Sequence, residues 1–256
     1  MTAARRATAL VRAPGPRLDA GIVAHIARRP VDLARARRQH GTYVAALAAA
    51  GWRIRPVPPA DDQPDAVFVE DTVVICDGLA VLARPGAPRR RAEVQGAEKV
   101  VRELGLELAR IEAPGTLDGG DVLQVGDTIY VGRSARTNDD AFCQVARLFG
   151  ALGRRVVAVP VTGCLHLKSA MTALPDGTLI GSPDRVDTSA LPGLRVAPEP
   201  AGAHVLPLGG NRVLVAASAP RTADRLAADG YDVSRVDISE FEAREGCVTC
   251  LSVLIP

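Results

Sequence analysis

The sequence predicts an α/β fold made of five repeated units closed around an axis, and three observations carry that reading. Short apolar runs flank tight Gly-containing turns at Asp77-Gly78, Gly126-Asp127, Pro175-Asp176-Gly177 and Gly209-Gly210-Asn211, each suited to a β-hairpin. Hairpin, helix and strand recur at intervals of roughly 50 residues, a period typical of repeat architectures. The first apolar run, at residues 8–11, and the last, at residues 248–255, have no hairpin partners of their own, so pairing them supplies a fifth unit and closes the ring. A doubly wound sheet would instead separate single parallel strands by helices, with no hairpins between them.

Each element has a local reason. Thr8-Ala9-Leu10-Val11 forms a first strand, and Pro14-Gly15-Pro16 turns the chain after it. Over residues 32–50, Leu33, Ala36, Tyr43 and Leu47 recur at helical spacing, and Gly51 ends the helix. Residues 54–57 make a brief strand closed by Pro58-Pro59. Val67-Phe68-Val69 reads as a strand ending in the paired carboxylates Glu70-Asp71. Strands at 72–76 and 79–83, a helix at 93–104 and a strand at 106–111 follow, and then a loop at 115–121 dense in Gly and Asp. The next unit has strands at 122–125 and 128–131, a helix at 139–152 and a strand at 156–161 that runs toward His166. Strands at 171–174 and 179–180 form a third hairpin, and those at 204–208 and 213–216 a fourth. A helix at 222–229 capped by Gly230 and a strand at 233–237 precede the final strand at 248–255, which carries Cys250.

A chain of 256 residues can bury a substantial core, and a single domain spanning residues 1–256 is expected. The five cysteines, Cys76, Cys143, Cys164, Cys247 and Cys250, are odd in number and irregularly spaced. No apolar run of signal-peptide type follows the first residues, so reduced thiols in the cytoplasm are expected. No run approaches the roughly 18 apolar residues of a membrane span. A formal charge of +2 is too small to favour nucleic acid or an anionic membrane as a partner, and pairing of protomers into a homodimer is left open. Lys99 and Lys168 are the only lysines, so arginine is the default basic residue and each one needs a local justification.

A cysteine acts as its thiolate, and at an ordinary pKa near ~8.5 only a small fraction is ionised at neutral pH, so a nucleophilic cysteine needs activation. Cys250 is the candidate nucleophile. His25 and His40 lie in an Arg-rich early stretch and His204 in a Pro/Gly-rich loop, which leaves His166, in Cys164-Leu165-His166-Leu167-Lys168, as the base. A Cys and a His distant in sequence but adjacent in the fold suit nucleophilic catalysis, whereas a buried cysteine in a last strand is ordinarily packing. Asp65 and Glu70-Asp71 would be costly ahead of apolar hairpins unless they bind something. Carboxylates accept paired hydrogen bonds from planar guanidinium groups, which points to a cationic substrate, although loop solvation explains any one of them alone. Arg90 and Arg136 are candidates for the carboxylate of an amino-acid ligand. Cys247-Val248-Thr249-Cys250 with Cys164 and His166 also offers a Cys/Cys/Cys/His set for zinc. Against this, the second pair has a single intervening residue, and a structural zinc needs no acidic cluster.

Phe68-Val69-Glu70-Asp71, Arg84-Pro85-Gly86, the run Ile111 to Thr116, Ser134-Ala135-Arg136-Thr137-Asn138, Leu165-His166-Leu167-Lys168 and Thr249-Cys250 together resemble the dimethylarginine dimethylaminohydrolases of the guanidino-group-modifying superfamily. The likeness runs from about Thr8 to Ile255, and six motifs in one order are far more specific than a lone Cys/His pair. It implies a five-bladed pseudo-symmetric α/β propeller of ββαβ units, the pentein fold. It also implies Cys250 as nucleophile, His166 as general acid and base, and Asp118, where some members carry Glu, as the acid that orients His166. Asp65, Glu70 and Asp71 match residues that hold the guanidinium and α-amino ends, and Arg90 and Arg136 those that bind the α-carboxylate. Ile22 matches an apolar lid position in a loop with Pro14-Gly15-Pro16 as hinge. Arg244 falls where the family offers a backbone carbonyl and usually an apolar side chain, and Cys247 where Gly is common. The implied reaction hydrolyses Nω-methylated arginines to citrulline without a metal or organic cofactor. An arginine or agmatine deiminase shares the nucleophile and differs in leaving group, but arginine deiminases resemble a longer chain with an inserted helical domain.

Overall fold

The computed structural model describes residues 7–191 and 193–256. Its strands form five separate three-stranded sheets. Four are built from consecutive strands: β3 (Val73–Cys76), β4 (Leu79–Leu82) and β5 (Glu107–Arg110); β6 (Val122–Val125), β7 (Thr128–Arg133) and β8 (Arg155–Pro160); β9 (Met171–Ala173), β10 (Leu179–Gly181) and β11 (Arg195–Val196); β12 (Leu206–Gly209), β13 (Arg212–Ala216) and β14 (Asp232–Val236). In each, an antiparallel hairpin is followed by a crossover to a parallel third strand. The fifth sheet joins the ends of the chain: β15 (Ser252–Ile255) lies antiparallel to β1 (Thr8–Val11), which pairs in parallel with β2 (Arg53–Pro56). Thr8 faces Ile255 and Val11 faces Ser252, the closure expected from the two unpartnered apolar runs.

Helices α1 (Leu33–Ala49), α2 (Val94–Glu103), α3 (Asp139–Gly150) and α4 (Pro220–Ala228) cross over in four of the units. Asp32 caps α1 by accepting from the Arg35 N–H, and Gly51 leaves it with φ at +93°. Asn138 caps α3 in the same way through the Ala141 N–H. The third unit in sequence departs from the repeat. Among the described residues, its connection from β10 to β11 holds only the 3-10 turn Thr188–Ala190. A stretch broken by Pro183 and Gly193 cannot sustain an α-helix of the length used elsewhere.

Apolar side chains are buried between neighbouring units. Phe149 and Val145 of α3, for example, pack with Val74 and Leu79 of one sheet and Val122 and Ile129 of the next. The first strands of all five sheets, β3, β6, β9, β12 and β15, line an axial cavity of about 190 Å³.

Two local expectations need correction. The last strand is Ser252–Ile255, and residues 248–251 form a turn, so Cys250 is presented ahead of the strand. Glu70 and Asp71 sit on a 3-10 turn, Val69–Thr72, and not at the end of a strand. Both shifts have one cause. The groups that bear chemistry are carried on the tight turn that precedes each innermost strand, where backbone dihedrals change too fast for sheet pairing.

The fully buried Tyr43 of α1 fixes one such turn, its hydroxyl lying 2.8 Å from the Val248 carbonyl and 2.7 Å from Ser252 Oγ. Tyr43→Phe is expected to destabilise the protein by about 1–3 kcal/mol, because the Val248 carbonyl loses a buried partner. Urea unfolding should show a lower midpoint with an unchanged slope. An unaltered midpoint would contradict this anchoring role.

Candidate active site

Four pre-strand turns bring their side chains together at one end of the axis: Val69–Thr72, Gly119–Asp121, Leu167–Ser169 and residues 247–251. The close approach depends on Gly119 and Gly120. A Cβ on Gly119 would lie 2.1 Å from the Glu70 carbonyl oxygen, and one on Gly120 2.5 Å from His166 Nδ1. The resulting pocket is lined by Ile22, Asp65, Asp71, Arg90, Arg136, His166, Arg244 and Cys250. Its free volume is about 10 Å³, at the limit for a single water, and Ile22 forms part of its wall.

His166 lies between two carboxylates. Its Nε2 is 2.9 Å from Asp118 Oδ2, and its Nδ1 is 3.7 Å from Asp71 Oδ1. Burial alone would lower its pKa, but the Asp71 charge, the Asp118 hydrogen bond and the charges of Asp121 and Asp118 outweigh it and lift the pKa to about 9. The ring is therefore an imidazolium at neutral pH. Asp118, fully buried behind the ring, also accepts from the Gly86 N–H at 2.9 Å and lies 3.5 Å from Arg136 Nη1. For Asp71, burial opposes ionisation, yet His166, Arg90 and the Gly120 N–H hold its pKa below the usual carboxylate range.

Arg90 is 3% exposed, and its guanidinium is already engaged: Nη1 reaches Asp71 Oδ2 at 2.7 Å, and Nε and Nη2 reach Glu93. It fixes Asp71 from behind while lining the pocket. Glu70 faces away from that pocket. It pairs with Lys168 at 2.7 Å, accepts from Thr249 Oγ1 at 3.2 Å, and borders the axial cavity. Burial lifts its pKa to about 7 against the opposing charge of Lys168.

Three buried polar atoms of this cluster have no hydrogen-bond partner among the described residues: Asp65 Oδ2, Arg136 Nη1 and His166 Nδ1. The other oxygen of Asp65 accepts from the Ile22 N–H at 2.9 Å. An acceptor, a donor and an imidazolium N–H thus surround the pocket without internal hydrogen bonds, each having only a charged neighbour at 3.5–3.7 Å (Arg89, Asp118 and Asp71), an arrangement that costs stability unless a ligand satisfies them.

Cys250 Sγ is 3.2 Å from Cys247 Sγ, which is 3.2 Å from Thr249 Oγ1. The hydrogen bond to Cys247, then burial, then the charges of Cys247, Glu70 and Asp71 push the Cys250 thiol well above its ordinary range. The same contact, outweighing burial, shifts the Cys247 thiol down. The zinc alternative needs Cys164, His166, Cys247 and Cys250 to converge. Among the described residues, the one group of three or more such ligand atoms lying together is instead Asp71, Asp118 and His166.

Sequence reasoning passed over the parts that hold the site from behind. Asp121 accepts from the Ser134 and Thr137 hydroxyls, both at 2.6 Å, and from the Leu167 N–H at 2.8 Å, which seats the turn after His166. Glu93 steers Arg90 from three residues away, and that i, i+3 spacing was a usable signal. The Arg244 side chain turns into the protein, with Nη1 2.9 Å from the Arg29 carbonyl and Nη2 3.0 Å from that of Asp19.

Cys247→Ala removes the first cause of the raised Cys250 pKa, so Cys250 should ionise at lower pH. Alkylation by iodoacetamide, followed by peptide mapping, should show the midpoint for Cys250 moving down. A midpoint that stays or rises would contradict the assigned contact.

No protein-family model matches the chain. It is 56% identical to the N(G),N(G)-dimethylarginine dimethylaminohydrolase of Streptomyces coelicolor, covering 96% of this chain and 95% of that protein. It is 34% identical to that of Pseudomonas aeruginosa, over 95% and 97%. Among solved structures, a dimethylarginine dimethylaminohydrolase adduct with S-methyl-L-thiocitrulline superposes with a TM-score of 0.91 at 32% identity, covering 97% of this chain and 99% of that one. A Pseudomonas aeruginosa Cys-to-Ser mutant complexed with citrulline gives 0.90, also at 32% identity, over 97% and 98%. The N-terminal domain of ArgZ shares the fold at a TM-score of 0.88 and 18% identity. With two relatives above 30% identity over nearly the whole chain and a matching five-unit propeller, this chain is a hydrolase of the dimethylarginine dimethylaminohydrolase family.

Proposed function

We propose that this single-domain protein is a cytoplasmic enzyme that hydrolyses Nω-methylated arginines, asymmetric dimethylarginine and monomethylarginine, to citrulline and dimethylamine or methylamine. The observation that carries the reading is the trio of buried atoms without a hydrogen bond in the pocket that the candidate nucleophile also lines. A guanidino amino acid offers complementary groups: a cationic end for the carboxylates and an α-carboxylate for Arg136 Nη1. Asp65 Oδ2 is available to a donor on the substrate, and Asp71 lies beside His166 at the reacting end. Arg90 adds positive charge at the wall while it holds Asp71, and Ile22 covers the ligand.

The charge states suit attack on a cation. In the free pocket Cys250 is held as a thiol by Cys247, burial and the nearby carboxylates. A guanidinium placed against it favours loss of the thiol proton, which passes to solvent because His166 is already protonated, so the thiolate is generated where the substrate is present. Sulfur adds to the guanidino carbon to give a tetrahedral adduct. The His166 imidazolium protonates the departing amine, and collapse leaves a thiouronium on Cys250. Neutral His166, oriented by Asp118, then takes a proton from water. Hydroxide attack on the thiouronium carbon forms a second tetrahedral species, which expels the sulfur and releases citrulline. Orientation of the clamped substrate makes the first step effectively unimolecular.

Purified protein is expected to form citrulline from dimethylarginine and monomethylarginine, with arginine and agmatine poorer by at least ~10-fold in kcat/KM. Preference for arginine or agmatine would make it a deiminase instead. Cys250→Ser should lower turnover by at least ~10³, and Cys143→Ser, at an exposed position, should not. Because the folded pKa of His166 is raised to about 9 from an ordinary 6.5, the protonated acid is present at neutral pH and lost as pH rises through about 9. The turnover number should therefore fall at alkaline pH. A turnover number still climbing at pH 10 would remove His166 as the acid.

A further inference from the structure

A free volume of about 10 Å³ is too small for an amino acid, so part of the pocket wall must yield to admit one, and Ile22 in that wall belongs to the loop between the 3-10 turn Leu18–Ala20 and helix α1. That loop has no backbone pairing of its own. Among the described residues, no N–H from 22 to 31 meets a backbone carbonyl. Carboxylates hold it instead: the Ile22 N–H donates to Asp65 and the Val31 N–H to Asp19, both at 2.9 Å. At the crest, three consecutive N–H groups converge on one side chain. Ala24 donates to Glu245 Oε2 at 3.0 Å, and His25 and Ile26 donate to Oε1, Ile26 at 3.0 Å. Arg244 secures the base of the loop through the carbonyls of Leu18, Asp19 and Arg29.

Glu245 is an unusual residue for its position. Its φ of +60° lies in the left-handed region, where glycine is the default, and of the described non-glycine residues only Asp77 shares such a φ. The turn therefore carries a side chain where the backbone alone would favour none. Glu245 and its neighbour Gly246 also line the pocket next to Cys250.

We infer that Glu245 is a positioning residue for the reaction: its carboxylate clasps the crest of the loop shut, with Arg244 as the fixed base, and so sets how firmly Ile22 is held over the bound substrate. This rests on the proposed hydrolysis only for its kinetic consequence, because the clasp itself is visible without substrate. Opening requires three charge-assisted hydrogen bonds to break together, which makes the crest a two-position element and not a frayed loop.

The test is Glu245→Gly, which removes the carboxylate and relieves the left-handed backbone, so the fold should persist with a melting temperature at or above that of wild type. Without substrate, the amides of Ala24, His25 and Ile26 should exchange at least ~10-fold faster, and trypsin should cut sooner after Arg28. With dimethylarginine, KM should rise at least ~5-fold while kcat changes by less than ~2-fold. Glu245→Gln, which keeps one acceptor oxygen, should fall between. Unchanged exchange in E245G overturns the clasp, and faster exchange with an unchanged KM overturns its role in holding substrate. Failure of wild type to hydrolyse dimethylarginine would count against the proposed activity alone, since exchange and trypsin cleavage still judge the clasp.

Discussion

Pairing of the first strand with the last is the constraint from which the rest of the structure follows. β1 and β15 lie at opposite ends of the sequence, and their antiparallel register closes five sheets into a ring. Closure places the turn before β15 beside the turns before β3, β6 and β9, so Cys250 lines one pocket with Asp71 and His166, and Asp118 backs the imidazole ring. The loop-closure entropy of joining the two ends is set against apolar burial along both strands, all four residues of β1 being buried. Tyr43 adds a second tie between α1 and the same turn.

The electrostatics follow from putting these turns together. Burial raises the energy of every isolated charge, so the cluster is stable only as an alternating set: Glu93 with Arg90, Arg90 with Asp71, Asp71 with His166, His166 with Asp118. One consequence is an imidazolium poised to give up a proton. Another is a thiol that gains nothing from ionising until a cation arrives. A neighbouring pair, Glu70 with Lys168, separates the pocket from the axial cavity and keeps a further carboxylate from lying unpaired against Cys250.

Much of this was legible in the sequence. The four hairpin turns were visible because Gly and Asp at their tips have one physical reading, and the fifth unit followed from two apolar runs left over. Cys250 and His166 could be chosen because the sequence has few thiols and fewer bases. The errors cluster at the site itself. Val248 to Leu251 runs directly into the apolar last strand and Val67-Phe68-Val69 directly into Glu70-Asp71, so both read as strand, yet residues 248–251 and 69–72 are wound into turns by tertiary contacts that no local pattern encodes. Asp121 and Glu245 were missed for a related reason: each acts on residues distant in sequence or through backbone groups, which leaves no signature in its neighbours, whereas Glu93 stands three residues from Arg90 and could have been read. The single irregular unit, with a 3-10 turn for a helix, was hinted at only by its prolines and glycine.

The central claim is that Cys250 becomes covalently bonded to the guanidino carbon of the substrate. Acid-quenching the wild-type enzyme during turnover of dimethylarginine, then measuring intact mass and mapping peptides, tests it most directly. A mass increment matching the thiouronium, confined to the peptide that ends the chain and localised to Cys250, is the expected result. Steady citrulline formation with no increment on any residue, or an increment localised to Cys247, would contradict it.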